Sequence, residues 1–312
     1  VLYMRIYALG LPGMGIYNCG NGILSATGDT KRPLLYLTVA GVLNVILNLV
    51  FVIGCGMAAE GVAIASAIAQ WVSALLIIIH LLHRKDACRL DIRKLRLHHL
   101  ASKRVLLIGI PSGLQNAIFA VANLFVQAGL NSFDEITVSG AAAASKLFQL
   151  FCCPYDALAT AATSFTGQNL GAGKYDRIRQ GTYACLFIGI LYCVLYILIA
   201  QFGTRYLSLL FMNADEAASV MSYTQQLNVA YAYATPLLLG VNVLRLSIQG
   251  MGYSRLSLIS GLLEMLARTA VSLWAVPAFG FDAACLASPL AWLLADCFLV
   301  PGFYGCLNAR RR

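Results

Sequence analysis

Residues Cys185 to Ala200 read CLFIGILYCVLYILIA, an apolar run with no polar alternation and no proline. A strand of a membrane barrel would show period-2 patterning, and this run does not, so it reads as a helix. Extended to its approximate limits, 182 to 203, it is long enough at 1.5 Å per residue to cross a hydrocarbon layer about 30 Å thick. Working outward, comparable runs recur at 2 to 26, 34 to 53, 61 to 82, 105 to 130, 137 to 168, 220 to 250, 257 to 278 and 284 to 307. The sequence therefore predicts an all-α polytopic membrane protein with nine spans. The composition agrees: 60% of the 312 residues are hydrophobic and 11% charged, with a mean hydropathy of +0.76. A water-soluble fold has nowhere to bury that much apolar surface.

The net charge of +9 reports topology. Lysine and arginine in short loops stay on the cytoplasmic side. The stretch 83 to 104 holds Arg84, Lys85, Arg89, Arg93, Lys94, Arg96, Lys103 and Arg104, and alternate loops carry Lys31 and Arg32, then Lys174, Arg177 and Arg179, then Arg255, then Arg310 to Arg312. The opposite loops carry Glu60, Asp134, Glu135, Asp215, Glu216 and Asp282, with Arg205 the exception. Charges dispersed over separate loops do not form a nucleic-acid surface; the 84 to 104 stretch suits contact with anionic lipid headgroups. The ten cysteines lie mostly inside apolar runs and read as small hydrophobes rather than a disulfide framework, with only Cys55 and Cys285 near the outer side.

An internal repeat divides the chain. Pro12 and Gly28 match Pro236 and Gly252 at an offset of 224, with Asn18 and Asn242 in register. GVLNVILN (Gly41 to Asn48) then aligns with GLLEMLAR (Gly261 to Arg268), Gly56 with Gly280, and ASAIAQW (Ala65 to Trp71) with ASPLAW (Ala287 to Trp292). Six helices separate equivalent positions, so both copies point the same way across the membrane: a parallel pseudo-twofold repeat, the plan of a two-lobed transporter with a shared cavity. The expected domains are three helices of a first lobe over 1 to 82, a basic interlobe loop over 83 to 104, and a second, six-helix lobe over 105 to 312. The chain starts at Val1 without a signal sequence, and its first helix would start outside, which leads us to expect three further helices ahead of it in a longer protein.

Specific strings then bear a resemblance. GILSATGDTKRP (Gly22 to Pro33), IPSGLQNAIFAVANLFVQ (Ile110 to Gln127), the 143 to 173 stretch ending TGQNLGAG, GMGYS (Gly250 to Ser254) and ASPLAWLLADCFLVP (Ala287 to Pro301) resemble helices four, seven, eight and ten to twelve of the multidrug and toxic compound extrusion family. The resemblance implies the last nine of twelve helices and export of amphipathic organic compounds by alternating access, driven by Na⁺ or H⁺. It also implies a multi-pass protein of the plasma membrane, working as a monomer on small molecules, without nucleic acid or a bound cofactor. Some family members place coupling carboxylates in the seventh and tenth helices. Here the seventh has Gln115, Asn116 and Asn123, and the tenth has Asn242, so the coupling ion stays open.

Charges at membrane depth are costly and mark function or need a partner. Six qualify: Lys146, Asp156, Arg245, Glu264, Arg268 and Asp296. Glu264 and Arg268 share a helix face at i,i+4, and Arg245 on the preceding helix is placed to join them, either as an internal ion pair or as part of a coupling site. Asp156 follows Pro154, where a helix can open to expose carbonyls to an ion; its alternative is pairing with Lys146. Asp296, one turn past Trp292, suits structural hydrogen bonding. Gln115, Asn116 and Asn123 suit either a polar stripe in a substrate cavity or hydrogen bonding within the lobe. Phe119, Phe148, Phe151, Tyr155, Tyr231 and Tyr233 are candidates to line the same cavity.

Enzymatic readings fail on spacing. GQNLGAGK (Gly167 to Lys174) lacks the phosphate-loop register and is followed by Tyr175 instead of Ser or Thr; His80 with His83, and His98 with His99, lack the zinc-protease spacing. The competing transport reading is a lipid-linked precursor flippase, which needs a strongly basic cavity for a pyrophosphate.

Overall fold

The computed structural model describes residues 2–86, 88–209 and 214–311, without the side chains of 214–219. Arg312 and the side chains of Asp215 and Glu216, read above as loop charges, lie outside the described residues. The described chain is helical: α1 (Leu2–Ala26), α2 (Lys31–Leu49), α3 (Ala59–His83), α4 (His99–Leu130), α5 (Glu135–Gly171), α6 (Tyr175–Phe202), α7 (Thr204–Ser208), α8 (Ala214–Gly250), α9 (Ser254–Ala270), α10 (Val276–Phe279) and α11 (Phe281–Arg311). Eight helical stretches among the described residues are long and apolar enough to cross a membrane, α2 with its π-turn extension through α11. The expected ninth, α1, is 25 residues long but does not join them. Gly10, Gly13, Gly15, Gly20, Gly22, Asn18 and Asn21 dilute its apolar character.

The chain divides into two compact units, one through Leu97 and one from His98. In the first, α1 lies against α3 through its glycines. A methyl group on Gly13 would come within 3.2 Å of the Gln70 backbone, tighter than ordinary van der Waals contact, so glycine favours this close approach of the two helices. Trp71 Nε1 donates to Leu9 O at 2.9 Å and the Tyr17 hydroxyl to Pro33 O at 2.8 Å, joining the three helices. The basic stretch is shorter than hydropathy indicated: α4 begins at His99, with the Ser102 amide donating to His98 O. Lys103 and Arg104 therefore stand in a helix, and the connecting segment is 84–98, with a short 3₁₀ turn at Ile92–Lys94.

In the second unit α8 is central, packing against α5, α6 and α11, while α9 packs against α4 and α11. Val241 and Ile248 of α8, with Met251 in the turn after it, form a core with Trp292, Leu299 and Phe303 of α11. Helix α9 buries its polar side: Ser254, Ser257, Ser260, Gly261, Glu264 and Arg268 point inward, while Leu262 and Leu266 are exposed. That inversion is the pattern of a helix surrounded by hydrocarbon, with its polar groups turned toward protein.

The repeat reappears as backbone geometry. Gly28 and Gly252, both with left-handed φ (85° and 90°), end the proline-containing helices α1 and α8. The next helix in each copy ends in a π-helical turn, Val50–Gly54 and Val271–Ala275, and Gly56 and Gly280 again take positive φ (64° and 67°). Sequence landmarks that align thus occupy the same turns.

Candidate functional site

A cavity of about 450 Å³ opens inside the second unit, lined from α4, α5, α8, α9 and α11. Its charged wall is a buried triad. Glu264 lies between two arginines: Arg245 Nη2 donates to its Oε1, and Arg268 Nη2 lies 3.7 Å from its Oε2. All three residues are less than a tenth exposed. Each arginine has further partners. Arg245 Nε donates to Ser260 Oγ at 3.2 Å and its guanidinium stacks over the Phe119 ring, 4.8 Å from the centroid. Arg268 Nη1 donates to Asn123 Oδ1 at 2.9 Å, while its buried Nε has no hydrogen-bond partner. Two cations and one anion leave this wall with one net positive charge.

The equivalent positions of the first unit are neutral. The offset that aligns Pro12 with Pro236 pairs Asn21 with Arg245, and the aligned strings pair Asn44 with Glu264 and Asn48 with Arg268. Asn48 Nδ2 donates to Asn44 Oδ1 at 3.1 Å, and Ser25 Oγ to Asn21 Oδ1 at 3.1 Å. One scaffold holds three amides in one copy and three charges in the other. Fixed charges in a bilayer cost more than amides, so the charges are a specialisation of the second copy.

Asp156 supplies the cavity's other carboxylate. It is exposed on α5, and its Oδ1 accepts from Asn242 Nδ2 at 3.3 Å. Pro154 does not open the helix as expected. Helix α5 runs unbroken through it, with Thr160 Oγ1 folding back onto Asp156 O at 2.8 Å and the neighbouring Phe151 carbonyl accepting from the Tyr192 hydroxyl at 3.2 Å. The alternative pairing with Lys146 does not form either: Lys146 is exposed on α5 and makes no ion pair among the described residues.

Other expected residues fall elsewhere. Asp296 lies outside the cavity lining, its carboxylate against the Gly240 backbone and its buried Oδ1 without a hydrogen-bond partner, which departs from the structural hydrogen bonding expected for it. Gln115 is buried and accepts from Gln249 Nε2 at 3.0 Å, tying α4 to α8. Asn116 is exposed away from the cavity, and only Asn123 of that stripe lines it. Tyr155 is fully buried, its hydroxyl on Cys193 Sγ at 3.4 Å, so it packs α5 against α6. Phe151 stacks on Tyr196, and Tyr233 is exposed. Cys285 lies near the start of α11 and is buried.

The aromatic wall was only half anticipated. Phe148 and Tyr231 do line the cavity, joined by Trp292, with Phe148 centroids 4.8 Å from Tyr231 and 5.8 Å from Trp292. In the sequence Trp292 stands out as a repeat landmark and as the residue one turn before Asp296, not as a cavity residue. Three helices contribute the three rings, and nothing in the local spacing of any one brings them together.

Comparison with known proteins identifies the family. The family model MatE matches residues 1–50 and 111–274. The chain is 30% identical over 240 residues to a FAD transporter of Shewanella oneidensis, covering 73% of this chain and 52% of that protein. It is 29% identical over 176 residues to the probable multidrug resistance protein YpnP of Bacillus subtilis, covering 56% and 39%. The chain thus spans about half the length of the curated relatives it matches. An outward-facing multidrug resistance MATE transporter superposes with a TM-score of 0.90 at 20% identity, covering 100% of this chain and 70% of that one. A MOP superfamily transporter from Pyrococcus furiosus superposes at 0.92 and 19%, with the same coverage. The match to the family model over most of the chain, on a helical membrane fold shared with the solved structures, shows that the chain belongs to the MatE family.

Proposed function

We propose that the chain works as part of a cation-coupled antiporter that exports amphipathic organic compounds by alternating access, with Na⁺ or H⁺ entry as the driving force. Such a protein acts by transport rather than catalysis, as a monomer in the plasma membrane, without nucleic acid. The observation that carries this reading is the contrast between the two cavity carboxylates. Glu264 is held by two arginines and is poorly suited to bind another cation. Asp156 faces the cavity with the Asn242 amide on its Oδ1 and forms no ion pair among the described residues, which leaves its charge available to a Na⁺ or a proton. A coupling ion must bind one conformation better than the other, and a carboxylate without a fixed counter-ion supports that role. The rings of Phe148, Tyr231 and Trp292 offer π faces to an organic substrate.

The test is ethidium efflux from proteoliposomes driven separately by a Na⁺ and by a pH gradient. Efflux under one gradient and its loss in Asp156→Asn support the reading; unchanged coupled efflux in that variant rejects the assigned role.

A second reading, export of an aromatic compound of the flavin kind, is favoured by the rings of Phe148, Tyr231 and Trp292 along one wall, and by the Shewanella relative named for FAD. The same vesicles loaded with FAD distinguish the two. The flippase reading is weaker: both cavity arginines are engaged by Glu264, and Asp156 adds negative charge where a pyrophosphate would sit.

A further inference from the structure

Away from this cavity, the N-terminal turns of α4 and α9 frame a groove of about 400 Å³. His99, Ser102 and Lys103 of α4 and Arg255 of α9 form one end of it, and the walls continue along α4 as hydrocarbon, with Leu106 and Ile110 55% and 62% exposed. Among the described residues neither Lys103 nor Arg255 forms an ion pair.

Both cations stand near helix N-termini, where the aligned peptide dipoles are already positive and further positive charge is disfavoured. Several helices place an acid there, α3, α5, α6 and α11 carrying Glu60, Glu135, Asp176 and Asp282 in their first turns, whereas α4 and α9, like α1 and α2, carry none. Two helix ends and two unpaired cations converge on one groove, and the protein supplies no counter-ion among the residues that line it. Its charge is complementary to an anion from outside, and the hydrocarbon wall continuous with it selects an anion that carries an acyl chain.

We propose that this groove is a binding site for an anionic phospholipid. The phosphate is held by Lys103, Arg255 and the Ser102 hydroxyl, and an acyl chain runs along Leu106 and Ile110. The site lies on the basic side of the membrane, where anionic headgroups attract lysine and arginine. It is independent of what the chain transports.

The experiment is native mass spectrometry of the chain with phosphatidylglycerol and with phosphatidylcholine of the same acyl chains. Lys103→Gln, Arg255→Gln and their combination are compared with Arg93→Gln/Lys94→Gln in the connecting segment, a control of equal charge loss. Phosphatidylglycerol is expected to bind in preference. Each groove substitution should weaken it about fivefold and the pair about 25-fold, from the usual attraction per cation near a charged surface, with the control unchanged and phosphatidylcholine unaffected. Equal binding of the two lipids overturns the proposal. So does an equal loss in the control, which makes the attraction diffuse, or displacement by millimolar inorganic phosphate, which makes the site one for a free anion. Thermal melting of each variant without added lipid separates loss of binding from loss of fold: a groove pair that melts with the parent yet keeps its phosphatidylglycerol preference also overturns the proposal.

Discussion

Replacing Glu264 by glutamine removes one negative charge from a site less than a tenth exposed and leaves two arginines facing each other across a neutral amide. Breaking a buried ion pair by deleting one partner costs about 3–5 kcal/mol, because the survivor stays buried without compensation. Here the survivors keep other contacts: Arg245 retains Ser260 Oγ and the Phe119 face, and Arg268 retains Asn123. The loss should fall near the lower end, about 3 kcal/mol, or roughly a hundredfold in the folding equilibrium. Unfolding in a detergent titration, followed by circular dichroism of the purified chain, measures it directly. The first unit suggests the compensating change. The triple substitution Arg245→Asn, Glu264→Asn, Arg268→Asn copies its amides, removes all three charges of the triad, and should recover at least half of the lost stability. A Glu264→Gln protein as stable as its parent would refute the reasoning, as would a triple variant less stable than the single one.

Three further outcomes follow from contacts described above. Asp156→Asn should change stability by less than about 1 kcal/mol, since its bond to Asn242 is long and exposed and an amide can replace it, so its melting curve should overlay the parent's even where transport coupling is lost. Phe119→Leu removes the ring under Arg245 and should cost about 0.5–2 kcal/mol in the same detergent titration, an effect that should vanish when Arg245 has already been replaced. Gly13→Val places two methyl groups where α1 meets the Gln70 backbone and should cost about 1–3 kcal/mol; protease sensitivity of the first unit, rising while the second stays protected, is the readout.

What the sequence determined alone was whatever depends on one-dimensional order. Runs like 185 to 200 are helical and membrane-spanning because hydrocarbon forces every backbone group to bond within its own segment. The basic loops reveal sidedness because charge is costly to move across a bilayer. The repeat was legible because turns need particular residues, and Gly28, Gly56, Gly252 and Gly280 occupy left-handed backbone that other residues rarely adopt. The Glu264–Arg268 pair was readable for the same reason, since i,i+4 spacing is a property of one helix.

Contacts between helices were not readable in that way. Tertiary structure alone put Arg245 on Glu264, placed Asn242 beside Asp156 instead of leaving it to Lys146, turned Tyr155 and Gln115 into packing, and brought Phe148, Tyr231 and Trp292 to one wall. In a bilayer every helix has apolar residues on several faces, so the pattern that marks the buried side of a soluble helix is missing. Which face meets which neighbour is then decided by close packing and by pairing of the few polar groups at depth, and both depend on distances between segments that local order does not encode.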